Sequence, residues 1–177
     1  MKRSLFIAAI VASMVSISSA DINPDLDGVQ IKSMLGSYSV DGDDVGQLSV
    51  GFDARKHFCV NDNVSVGPGV SVNVFDNDGI IGDDGQAVIG DAFVSADVQL
   101  TPAVSSDFAL GYTGGDIDGH SMKGVMLGAA VDYAVAGQKG LTIGFDWKTT
   151  LNVNSDDIKK MDGDAFHRYN LTVGYKF

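Results

Sequence analysis

The last nine residues constrain this chain more than any other stretch. Large apolar or aromatic side chains at Tyr169, Leu171, Val173, Tyr175 and Phe177 alternate with small or polar ones at Asn170, Thr172, Gly174 and Lys176. A strict period of two puts the two sets on opposite faces of an extended strand. A half-buried strand of a water-soluble protein has the same alternation, so the question is what the apolar face meets.

The pattern stops and restarts along the chain about eight times. Val29, Ile31 and Leu35 alternate with Gln30, Lys32 and Gly36, and Leu48, Val50 and Phe52 with Ser49, Gly51 and Asp53. Val64 to Val74 follows, with Pro68 on the apolar face; proline donates no ladder hydrogen bond, so a bulge or break is expected near it. Val88 to Leu100, Phe108 to Tyr112, Val125 to Tyr133 and Leu141 to Trp147 complete the set before the terminal strand. Composition agrees. All 23 acidic residues are aspartate, none is glutamate, and there are 22 glycines and 3 prolines. Aspartate competes with the helix backbone and suits turns, so a helical domain is disfavoured.

The N-terminus carries an export pattern. Met1-Lys2-Arg3 is a short basic region, Leu5 to Val15 is apolar, and Ser18-Ser19-Ala20 offers small residues before Asp21. Residues 1–20 are therefore expected to be a signal peptide, leaving 21–177 as one domain. Without Lys2 and Arg3, 10 of the 12 basic residues remain against 23 acids, a net −13, which argues against nucleic acid as a partner. The single Cys59 cannot form an intramolecular disulfide.

The connections alternate in character. Those at roughly 55–63, 101–106 and 135–140 hold few acids, so the stretch around Arg55-Lys56 is expected in a turn. Those at roughly 39–46, 76–86, 113–121 and 150–166 are longer on average. They carry Asp41, Asp43, Asp44, Asp76, Asp78, Asp83, Asp84, Asp116, Asp118, Asp156, Asp157, Asp162 and Asp164. Short turns at one end and long polar loops at the other suit an up-and-down membrane barrel. The faces agree, because the side opposite the large apolar residues is mostly Gly, Ser, Ala, Thr and Asp, a poor surface for a soluble protein. Aromatics fall near strand ends: Phe75, Tyr112, Trp147 and Tyr169 toward the loops, and Phe52, Phe108, Tyr133, Tyr175 and Phe177 toward the turns. Two such bands are expected at the edges of a slab about 25 Å tall.

With its terminal alternation and final Phe177, the chain resembles the small eight-stranded β-barrels of the bacterial outer membrane, the OmpX type and the membrane domain of the OmpA type. The resemblance implies an all-β, eight-stranded antiparallel transmembrane barrel, monomeric, among outer-membrane lipid and lipopolysaccharide. It also implies that Tyr169, Leu171, Val173, Tyr175 and Phe177 serve as a signal to the barrel-assembly machinery. A soluble periplasmic ligand-binding barrel is the alternative.

In a membrane barrel the polar face is the interior. Lys32, Asp53, Asp91, Asp97, Asp132, Asp146, Lys148, Arg168 and Lys176 are then expected to face the lumen and pair across it. An eight-stranded barrel is only wide enough for its own side chains. One cluster is expected at the turn end around Lys32, Asp53, Asp97, Asp132 and Lys176. Another is expected toward the loops around Asp91, Asp146, Lys148 and Arg168. A plugged interior follows, with a narrow ion-conducting pore as the alternative. No catalytic constellation stands out: His57, His120 and His167 are scattered, and His120-Ser121 reads as a polar loop tip. No cofactor is implied. Asp76-Asn77-Asp78-Gly79 and Asp41-Gly42-Asp43-Asp44 offer hard oxygen ligands for a divalent cation, but with no glutamate neither completes a calcium loop, and solvated acidic loops are the simpler account. The role left is structural or surface interaction, such as adhesion or envelope integrity, rather than catalysis.

Overall fold

The computed structural model describes residues 28–40, 43–44, 48–76, 86–117, 120–155 and 165–177. Eight antiparallel strands make up the fold. They are β1 (Gly28–Val40), β2 (Ser49–Asn61), β3 (Val64–Asp76), β4 (Gln86–Thr101), β5 (Val104–Ile117), β6 (His120–Ala134), β7 (Leu141–Ser155) and β8 (Phe166–Lys176). Each pairs with the next in sequence, and β8 closes on β1 from Gln30 opposite Lys176 to Val40 opposite Phe166. The sheet is a closed up-and-down barrel. A two-residue strand, Asp43–Asp44, folds back on the end of β1.

Alternation in the sequence becomes inside and outside in the barrel. Side chains at Leu35, Val70, Val94, Leu110, Leu127, Phe145 and Leu171 are exposed on the exterior, while their polar neighbours are buried in the lumen. Closure leaves each of the eight strands paired on both sides, so none of them presents a free edge to template aggregation.

Local chemistry shapes the turns. Asn61 Oδ1 accepts the Asn63 N–H at 3.0 Å, reversing the chain between β2 and β3, and Thr101 Oγ1 accepts the Val104 N–H at 3.0 Å between β4 and β5. The 135–140 turn passes through Gly137 and Gly140 at φ of 78° and 74°, a conformation glycine adopts without a Cβ penalty. These turns and both barrel termini lie at one end.

Four expectations are corrected. Arg55-Lys56 is not in a turn: β2 continues to Asn61, and Arg55 is buried in the lumen. The break in alternation after Asp53 comes from one long polar side chain placed inside, not from the end of a strand. The third loop is not long, since β5 reaches Ile117 and β6 starts at His120, so His120-Ser121 lies in a strand. Phe75 is not in an exterior girdle but faces inward at 2% exposure, and Phe52 lies toward the loop end of β2, where Phe58 takes the turn-end position. At Pro68 the β2–β3 ladder lapses opposite Gly67-Pro68 and resumes in the same register. That lapse is the break expected near Pro68, and a separate bulge on the same ladder lies between Cys59 and Asn61.

Candidate functional site

The lumen holds the chemistry. Among the described residues it buries the cations Lys32, Arg55, Lys148 and Arg168, with Lys176 at its turn-end mouth, against Asp53, Asp91, Asp97, Asp107, Asp132 and Asp146. All nine charges picked from the sequence face this interior. Arg55 and Asp107 join them. Asp107 was legible as the polar neighbour of Phe108, whereas Arg55 was hidden by the misplaced turn.

Arg55 is the hub. Its Nε lies 2.6 Å from Asp53 Oδ1 and its Nη2 lies 3.0 Å from Asp53 Oδ2 and 3.3 Å from Asp146 Oδ2, while Nη1 pairs with Asp107. A planar five-donor guanidinium can meet three carboxylates at once, which a lysine point charge does less well. Lys148 Nζ bridges onward, 2.9 Å from both Asp53 Oδ2 and Ser71 Oγ and 3.7 Å from Asp91. Arg168 grips Asp91 with two bonds of 2.8 Å, and Thr113 Oγ1 donates to the same carboxylate at 2.6 Å. A continuous chain of ion pairs therefore runs through the middle of the barrel.

Two separate pairs sit nearer the turns. Lys32 pairs with Asp132 across the lumen, and Lys176 Nζ is 3.5 Å from Asp97. Lys32 and Asp53 are ladder partners on the same face, yet each finds its partner elsewhere. The expected division is corrected on this point: Asp53 and Asp146 belong with Arg55 and Lys148 in the middle, not to turn-end and loop-end clusters. Beside the Lys176 pair a cavity of about 130 Å³ opens at the turn end, lined by Gln30, Asp97, Asp132, Thr142 and Lys176 among others. His57 is buried nearby, with Nδ1 3.2 Å from Ser65 Oγ.

Aromatic rings share the lumen with these charges. Phe93 points inward from β4 beneath two cations, with the Arg55 guanidinium carbon and Lys148 Nζ each 5.1 Å from its ring centroid, a cation–π arrangement. Its ladder partners on either side are Gly69 and Gly111, where a Cβ would lie 2.3 Å and 2.5 Å from Phe93 atoms. These two glycines make the room for the ring. At the loop end Tyr38, Phe75 and Phe166, from β1, β3 and β8, close on one another with centroids 4.4, 5.4 and 5.6 Å apart. This inward aromatic layer was legible only as parity: Tyr38 shares the face of Lys32, Phe75 that of Ser71 and Asn73, and Phe166 that of Arg168.

Two of the four metal candidates lie within the described residues. Asp43 lies in the short strand and Asp76 ends β3, while Asp41 and Asp78 fall outside the described residues. Among the described residues no group of three metal-ligating side chains comes together. Cys59 is exposed at the turn end. Tyr169, Leu171 and Val173 face outward from β8, and the Tyr175 and Phe177 rings are 4.9 Å apart.

A polar, charged interior inside a shell of exposed valine, leucine and phenylalanine is the inverse of a soluble protein. It is stable where the outside is hydrocarbon. No protein-family model and no curated protein matches the chain. Solved structures do. Ail of Yersinia pestis, in complex with the heparin analogue sucrose octasulfate, aligns at a TM-score of 0.59 and 15% identity over 85% of this chain and 97% of that one. Ail in a phospholipid bilayer nanodisc gives 0.53 at 16% identity over 85% and 99%. Neisserial surface protein A gives 0.50 at 17% identity over 84% and 96%. The chain thus has the fold of small eight-stranded transmembrane β-barrels.

Proposed function

We propose that the protein is an integral outer-membrane barrel with a closed interior, and that it works at its loop end in adhesion or envelope integrity rather than as a channel or an enzyme. In this reading residues 1–20 direct export, the short turns face the periplasm, and the monomer sits among outer-membrane lipid and lipopolysaccharide. The observation that carries it is the lumen: an ion-pair chain across its middle, with Tyr38, Phe75 and Phe166 layered over it. The loop-end connections add a polarity of their own, with 13 aspartates against Lys159 and Lys160. Ail was crystallised with a sulfated polyanion. An acidic loop end repels such a ligand, so the surface partner proposed here is cationic or bridged by divalent cations.

The test is electrical. Purified wild-type protein in planar bilayers is expected to give no reproducible conductance steps. Steady steps would overturn the closed lumen and favour the narrow channel.

The terminal strand carries a second expectation. Phe177 anchors barrel closure through its backbone, donating to Val29 O at 2.8 Å and accepting from the Val29 N–H at 3.3 Å. The same residue is proposed as the assembly signal. Phe177→Asp is expected to lose most of the folded, heat-modifiable band from outer-membrane fractions, while Phe177→Leu keeps it. Equal band intensity for the two variants would remove the signal role.

A further inference from the structure

Adjacent strands put their aspartates on one wall of the lumen. Along a single line of ladder partners lie Asp97 on β4, Asp107 on β5, Ala130 on β6 and Asp146 on β7, with Asp132 two residues from Ala130 on the same face of β6. The cations paired with this wall stand on the other side: Lys176 on β8, Lys32 on β1 and Arg55 on β2. Asp97 and Asp107 are direct ladder partners, which sets their Cβ atoms about 4.5–5.5 Å apart. Two ionised carboxylates so placed repel each other.

The charge count points the same way. Among the described residues the lumen sets six aspartates, Asp53, Asp91, Asp97, Asp107, Asp132 and Asp146, against five cations, Lys32, Arg55, Lys148, Arg168 and Lys176. The deficit falls at this wall, because Arg55 is divided among Asp53, Asp107 and Asp146. His57 does not supply a sixth cation: an imidazolium donates from both nitrogens, and its Nε2 has no partner among the described residues. Each aspartate of the wall also keeps one oxygen without a donor, namely Asp97 Oδ1, Asp107 Oδ2, Asp132 Oδ1 and Asp146 Oδ1, and all four are shielded from solvent. A buried carboxylate oxygen left without a donor is costly. Where a water molecule cannot touch the atom, a proton still can.

We propose that the Asp97–Asp107 pair is a proton-binding site, sharing one proton between Asp107 Oδ2 and Asp97 Oδ1 in the folded barrel. Carboxylates held side by side titrate as a unit, and the pair keeps one proton because both members cannot ionise together. One shared proton brings the lumen to five anions against five cations. The groups that face the pair are Arg55 and His57 from β2, Ser65 from β3, Lys32 from β1, Lys176 from β8 and Asp132 from β6. Asp97 lines the cavity at the turn end, which gives the proton its route from solvent, whereas Asp107 lies behind it. The site therefore ties the balance of charges at the turn end to the protons available there. The proposal rests on the closed lumen proposed above.

Infrared spectroscopy reads the proton directly. Refolded wild-type protein at neutral pH, in a detergent that has no carbonyl group, is expected to show the C=O band of one carboxylic acid per chain, and the band should shift when aspartate is isotopically labelled. Asp107→Asn and Asp97→Asn should each remove it, since the aspartate left behind ionises beside Lys176 or Arg55. Asp91→Asn, which touches the Arg168 and Lys148 end of the network, should keep it. Folding of the wild type at neutral pH should also take up about one proton per chain more than folding of Asp107→Asn, because the aspartates of the unfolded chain, at about 3.9, are ionised there and the histidines are the same in both. A wild-type spectrum without the acid band, a band that survives in both pair variants, or equal proton uptake would overturn the proposal. The wild-type band decides the matter if a variant does not fold. Conductance steps in planar bilayers would strike the closed lumen, whereas a missing acid band in a non-conducting barrel would strike the proton pair alone.

Discussion

Arg55→Ala is expected to destabilise the barrel by about 3–5 kcal/mol, the cost of removing one partner from a buried ion pair and leaving the others uncompensated. The loss is large because Arg55 faces Asp53, Asp107 and Asp146 together. Lys148 remains beside Asp53, but among the described residues Asp107 and Asp146 have no other cation within ion-pair distance, so two carboxylates lose their cation in a confined lumen. Lys176→Ala is the contrast. Its side chain is 13% exposed at the mouth and 3.5 Å from Asp97, and its removal should cost about 1 kcal/mol or less. Urea unfolding of both variants in lipid vesicles, followed by Trp147 emission, measures the difference. Equal losses would mean that water reaches the middle of the barrel and screens the network there.

Leu110→Arg probes the other face. Leu110 is 60% exposed halfway along β5, with its side chain outside the barrel. In a bilayer an arginine at mid-depth of the lipid face costs about 2–4 kcal/mol. In water an exposed leucine-to-arginine change away from any special feature stays within about 0.5 kcal/mol. The same substitution therefore separates the membrane barrel from the soluble one. We expect Leu110→Arg to lower the urea midpoint in vesicles by the larger amount, with an unchanged denaturant slope. A midpoint equal to that of wild type would mean that the apolar shell faces something other than hydrocarbon.

These two residues also mark how far the chain could be read in one dimension. Leu110 was legible outright, because a period of two assigns a side to every residue of a strand and the class of solvent on each side follows from side-chain size and polarity. Arg55 was not, because its long polar side chain beside Ala54 and Lys56 breaks the apolar run and mimics a turn. Phe75 shows a different failure. Its parity with Ser71 and Asn73 pointed inward, but aromatic character near a strand end suggested the exterior, and parity won because the pleat leaves no choice of face.

Alternation and composition by themselves determined the eight strands, the closed up-and-down order and the sidedness of the nine lumen charges. What only the tertiary structure decided is which charges meet. Lys32 and Asp53 are neighbours along the ladder, yet Lys32 reaches Asp132, a hundred residues away, and Asp53 is held by Arg55 and Lys148. Strand tilt and stagger around a closed barrel set the height at which each side chain enters the lumen, and side-chain length sets how far across it reaches. Neither quantity is written in the period of a single strand, so the faces could be read from the chain and the contacts across the lumen could not.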